Sequence, residues 1–95
     1  MNEILERAIR TYGVECQIDK AIEEMSELTK ALLKLRHCDK DYERPIIQDA
    51  VDEEMADVEI MLEQLKMIFR NWKQLDNQKF KKLERLERRM NGESR

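Results

Sequence analysis

The chain has 95 residues, enough for one domain, and its 18 Lys and Arg against 21 Asp and Glu give a net charge of −3. No apolar run approaches the roughly 20 residues that span a bilayer, the N-terminus has no signal-peptide pattern, and two cysteines without CxxC spacing argue against a zinc or redox centre. With two Gly, one Pro and abundant Glu, Lys, Leu and Met, an almost wholly helical protein of the reducing cytoplasm is expected, its thiols free.

The pattern predicts four helices. The first, about residues 2–12, has Ile4, Leu5, Ala8, Ile9 and Tyr12 on one face, and Gly13 is suited to end it. The second runs from about 14 to 37 along an apolar stripe of Ile18, Ile22, Met25, Leu28, Leu32 and Leu35. The polar segment 38–44 leads to Pro45, which fits a first helical turn and favours a break before it. A third helix, about 46–70, carries Ile47, Val51, Glu54, Val58, Met61, Leu65 and Ile68 in one row. The last, about 74–91, carries Leu75, Phe80, Leu83, Leu86 and Met90, and the tail 91–95 is expected to fray. No internal repeat, low-complexity tract or second domain is visible.

Two acidic motifs stand out against these stripes. Glu23-Glu24-Met-Ser-Glu27 lies on the second helix and Glu54-Met-Ala-Asp57 on the third. Glu54 interrupts an otherwise apolar row, and Asp57 sits beside Val58, so their oxygens point into or along the edge of the bundle. Glu24 and Glu27 flank the stripe of the second helix. Residues three apart rise only about 4.5 Å along a helix, so each pair can reach one ion. Carboxylates clustered beside a low-dielectric core repel one another and take up protons unless a cation compensates them. Hard oxygen ligands suit Mg²⁺ or Mn²⁺. Either motif alone is an ordinary solvated helix surface; the two together, on separate helices, point to a metal site.

The arrangement EExxE, a spacer of residues 28–53, then ExxD resembles the signature of the MazG-like all-α nucleoside triphosphate pyrophosphohydrolases, a superfamily that includes dimeric dUTPases, dCTPases and phosphoribosyl-ATP pyrophosphatase. The flanking text agrees: Gln17-Ile-Asp-Lys-Ala-Ile precedes the first motif, Val58-Glu-Ile-Met-Leu-Glu-Gln-Leu follows the second, and Asn77-Gln-Lys79-Phe80 is similar to the NxKF segment on the family's last helix. The resemblance spans about residues 14–90. It implies a four-helix MazG-like bundle completed by self-association to a dimer or tetramer. It also implies metal ligation by Glu24, Glu27, Glu54 and Asp57, and phosphate or water-shell contacts by Asn77 and Lys79. Glu23 is left with three roles: orienting the ligands, helping to activate the attacking water, or simple exposure. Many relatives continue NxKF with one residue and two arginines; here Lys82 keeps a charge, Leu83 does not, and Arg85 is a possible substitute.

Such a site makes chemical sense without a nucleophilic Ser or Cys. Polyphosphate cleavage needs charge neutralisation on non-bridging oxygens and an activated water, both of which bound metal ions provide. By resemblance, attack at the α-phosphorus of a (d)NTP gives a nucleoside monophosphate and pyrophosphate. Residues 1–65 hold 8 basic and 17 acidic side chains, net −9, whereas residues 66–95 hold 10 and 4, net +6. A basic last helix facing an acidic metal site suits a magnesium-bound triphosphate; it suits equally a solvated helix.

The other conspicuous residues have plainer readings. His37, near the end of the second helix, sits where a cation is favoured; the methionines read as core filler; Tyr12 and Trp72 read as interhelical or subunit contacts before base-stacking groups. The absence of ExxH argues against a di-iron bundle. Two other classes stay open: a helical interaction module whose acids are solvated, and a nucleic-acid-binding protein using the last helix, against which the acidic remainder of the chain counts. Base and sugar preference is not legible from spacing.

Overall fold

A computed structural model of the protein describes residues 2–92, which form four α-helices and, among those residues, no strand: α1 Asn2–Tyr12, α2 Val14–Arg36, α3 Arg44–Phe69 and α4 Trp72–Met90. The expected all-α four-helix class is what the chain adopts, every boundary falling within about two residues of the sequence reading. Of the tail expected to fray, Asn91 and Gly92 form a turn and residues 93–95 lie outside the described range. No described helix is long and apolar enough to cross a membrane.

The breaks have local causes. Gly13 adopts φ 92 and ψ 156, a conformation that a Cβ disfavours. Its N–H donates to the Ile9 carbonyl at 2.8 Å and its own carbonyl accepts from the Gln17 N–H at 3.1 Å, so a single residue ends α1 and starts α2 without a loop. A 3₁₀ turn at Asp41–Glu43 leads into α3, with Pro45 in the first turn where its missing N–H costs nothing. At the far end of α3 there is no glycine: Arg70 itself takes the left-handed conformation, φ 50 and ψ 47, and its N–H donates to the Lys66 carbonyl at 2.7 Å.

Helices α2 and α3 pair as an antiparallel hairpin, with Gln17 at the start of α2 bonded to Gln64 near the end of α3. The line of α2 that faces α3 is Gln17, Ala21, Glu24, Leu28, Ala31 and Leu35, of which Gln17, Ala21 and Ala31 are buried. This corrects the expected stripe: Ile22, Met25 and Leu32 are 59%, 40% and 43% exposed. The small side chains of Ala21 and Ala31 let the helices approach closely, since interaxial distance follows the residues at the contact, and the inward face rotates toward them. On α3 the expected row holds, with Val51 and Met61 buried and Ile47, Glu54, Val58, Leu65 and Ile68 half-buried. Helix α1 rests on this hairpin through the buried Leu5.

Helix α4 is different. It buries no residue and meets α3 only in a crook of about 390 Å³, where Leu75 and Lys79 look toward Leu62, Leu65 and Phe69. The chain measures 43 × 41 × 21 Å with a radius of gyration of 17.2 Å, against about 12 Å for a compact domain of this length. Its accessible surface is 7970 Å², whereas folded monomers of this mass expose about 5,800 Å².

Candidate metal centre

The antiparallel register brings the two acidic motifs together. Glu54 and Asp57 lie one turn apart on α3, Glu24 comes opposite them from α2, and one oxygen from each of the three half-buried carboxylates lies within 4.8 Å of the others. The Oε2 of Glu54 is buried and has no hydrogen-bond partner. A buried acceptor in that state forfeits its solvation unless something positive meets it. The Glu24 carboxyl is held above its ordinary value, first by burial and then by the charge of Asp57, with Glu54 adding to the effect and Lys20 opposing it. Lys20 is itself raised, chiefly by its hydrogen bond to Glu23 at 3.2 Å.

These observations fit a hard divalent cation. The donors are carboxylate oxygens, their mutual repulsion is only partly offset by Lys20, and an octahedral ion with bonds of about 2.1 Å spans about 4.2 Å between opposite ligands. Three side-chain donors also leave coordination positions for water and phosphate oxygens, as Mg²⁺ usually requires.

The other residues singled out in the sequence fall elsewhere. Glu27 is outside the trio and pairs with Lys30 at 3.5 Å; it lines a hollow of about 350 Å³ with Glu54, Lys30 and Lys34, so it borders the centre. Glu23 is exposed and bound to Lys20. Asn77, Lys79, Lys82 and Arg85 are exposed on α4, and none of them lines either hollow that adjoins the acids. Two residues along a helix turn about 200°, so Asn77 and Lys79 occupy different faces, whereas Lys79 and Lys82, about 60° apart, share one.

On the opposite side of the trio a second hollow of about 480 Å³ contains Glu24 and Asp57 at one end and Gln17, Gln64 and Tyr12 at the other, with Lys20 beside the acids. The acids therefore form a ridge between two hollows, one holding Lys20 and the other Lys30 and Lys34, all from α2. Those lysines, and the two glutamines, carry no motif of their own; only the spacing Gln17, Ala21, Glu24 hints that they share one face. Cys16 and Cys38 are free thiols. Comparison of the chain with protein-family models, with curated proteins and with solved structures finds no match.

Proposed function

We propose that the protein is a cytoplasmic, Mg²⁺-dependent nucleotide pyrophosphohydrolase of the MazG-like type, converting a (d)NTP to the nucleoside monophosphate and pyrophosphate. The observation that carries this reading is the partnerless buried Oε2 of Glu54 inside a three-carboxylate cluster drawn from two helices. Glu24, Glu54 and Asp57 hold Mg²⁺, or Mn²⁺ in its place, and Glu27 joins them when it leaves Lys30. When bound, the ion neutralises phosphate charge and makes water more acidic. Lys20, Lys30 and Lys34 neutralise the polyphosphate from within the protomer. Glu23 holds Lys20 in place. Asn77, Lys79 and Lys82 reach the phosphates from a second copy of the chain, since α4 buries no residue in its own and lines neither hollow beside the acids. Dimer or tetramer formation is thus part of the proposal.

The test is pyrophosphate release from a panel of ribo- and deoxynucleoside triphosphates with Mg²⁺, alongside Glu54→Gln. Hydrolysis of at least one member, reduced by a factor of about 100 or more in the variant, is expected for loss of an electrostatic contact of this kind. Silence across the panel, with no thermal stabilisation by Mg²⁺, defeats the proposal. One observation favours a second reading, a helical interaction module: the apolar side chains of α4 are open, with Phe80 65%, Leu83 63% and Met90 72% exposed. That reading predicts that neutralising the acids leaves folding unchanged or improved and that Mg²⁺ has no effect.

A further inference from the structure

Helix α2 keeps its charges to one side. At about 100° of rotation per residue, every Asp, Glu and Lys from Asp19 to Lys34 falls within an arc of about 140°. That arc supplies the lysines of the two hollows beside the acids. Past the line that meets α3, a further arc of about 120° presents Ile22, Met25, Ser26, Thr29, Leu32 and Leu33, all exposed. It carries no ionisable group over about four turns, in a chain of which 41% is charged. A surface helix ordinarily turns its apolar stripe to the core and its charges to water. Here the small side chains of Ala21 and Ala31 take the inward positions, and the larger apolar ones are left outside.

The two hydroxyls on this face are already engaged. Ser26 Oγ donates to the Ile22 carbonyl at 3.1 Å and Thr29 Oγ1 to the Met25 carbonyl at 3.0 Å, bonds made within the helix itself. The face can therefore lose its water without stranding a donor. Depletion of charge is also what distinguishes the centre of a protein interface from ordinary surface.

Charge and area together select the occupant. In a contact with two-fold symmetry the same patch serves both subunits, so residues near the axis meet their own copies and any charge there faces a like charge. The α2 face holds none. The stripe of α4 fails that test, because Lys79 lies in line with Leu83 and Leu86 and Lys82 stands at its edge; it suits an acidic surface instead. One protomer also has surface enough for both contacts. Its 7970 Å² exceeds the usual value of about 5,800 Å² by more than twice the roughly 800 Å² that each partner buries in a standard interface.

We infer that the uncharged face of α2 is a two-fold interface, on which α2 of a second copy of this chain packs about an axis near Met25, the middle of the stretch from Ile18 to Leu33. This contact is separate from the one proposed for α4 and does not depend on nucleotide hydrolysis. Met25 is turned from Glu24 and Glu27 by about 100° and 160° around the helix, so the pairing leaves the acidic ridge uncovered.

The experiment is sedimentation equilibrium of the full chain as wild type, Met25→Glu and Met25→Lys, each alone and the two variants mixed, with circular dichroism to check that the exposed position leaves the fold intact. Each variant alone should weaken self-association by about 100-fold or more, because like charges then meet across a dry contact. The equimolar mixture should recover most of that loss, since Glu from one copy then meets Lys from the other. Met25→Cys, in a chain with Cys16→Ser and Cys38→Ser, should form a disulfide-linked dimer under mild oxidation, as residues at the axis come within bonding reach. A monomeric wild type, association indifferent to either charge, a mixture as weak as its components, or a Met25→Cys chain that stays unlinked would each overturn the inference. Pyrophosphate release measured in parallel keeps it distinct from the hydrolase proposal: the Met25 pattern without release retains the interface and removes the hydrolase, and release by a chain whose association ignores Met25 does the reverse.

Discussion

Glu24 carries the clearest electrostatic consequence of the acidic ridge. Its folded-state pKa lies above the ordinary 4.5 because of burial and the charges of Asp57 and Glu54. The folded protein therefore binds this proton more tightly than the unfolded chain does. Stability from this group is present at low pH and is lost as pH rises from the ordinary value through the raised one, because the unfolded state then binds fewer protons than the native state. In metal-free protein, Glu24→Gln should raise the melting temperature at pH 7.5 and change it little at pH 4. Mg²⁺ should raise the wild-type melting temperature at pH 7.5 and do so weakly in the variant. A wild-type protein whose metal-free stability relative to Glu24→Gln is flat across this range would remove the like-charge account of the cluster.

Among the elements, the end of α3 is the weakest design. Arg70 sits at φ 50 and ψ 47, where a side chain with a Cβ costs about 1 kcal/mol and where glycine is the usual solution. Just beyond it, Asn71 Oδ1 is buried without a partner. Replacing Arg70 with Gly should stabilise the protein by about 0.5 to 1 kcal/mol, read from the urea midpoint at unchanged slope; a lower midpoint would mean that the arginine side chain makes a contact worth more than the strain. This position also marks a limit of sequence reading. Gly13 and Pro45 punctuate the chain by chemistry and so were visible as breaks. Arg70 has no such signature, and its conformation is imposed by where α3 stops packing. The row on α3 was legible because its large side chains face inward. On α2 apolar size points to the wrong face, because the small side chains of Ala21 and Ala31 decide how closely the helices come. The same rotation turns Gln17 inward on the face that carries Glu24 two turns further along, and a glutamine, unlike the paired acids, has no motif that announces it.

At the scale of the molecule, one protomer has too little interior. Among the described residues its buried apolar side chains are Leu5, Ala21, Ala31, Val51 and Met61, and the accessible surface exceeds the usual value for its mass by about 2,000 Å². That excess is more than twice the roughly 800 Å² that each partner buries in a standard interface. Ile22, Leu32, Phe80, Leu83 and Met90 are all exposed at once. Helix α4 carries a net charge of +4 from seven basic and three acidic side chains, opposite in sign to the rest of the chain. Sedimentation at micromolar concentration should therefore give a mass of at least twice 11.5 kDa, and Leu83→Glu together with Leu86→Glu should shift it toward the monomer; a wild-type monomer across this range would show that the open faces are stable in water. The unburied α4 also has a kinetic meaning. The α2–α3 hairpin closes within one chain, a unimolecular step, but α4, if the proposed self-association is what covers it, must wait for a collision. Refolding followed by Trp72 fluorescence should then show a slow phase whose rate grows with protein concentration, so that how quickly the molecule becomes whole depends on how many copies are being made.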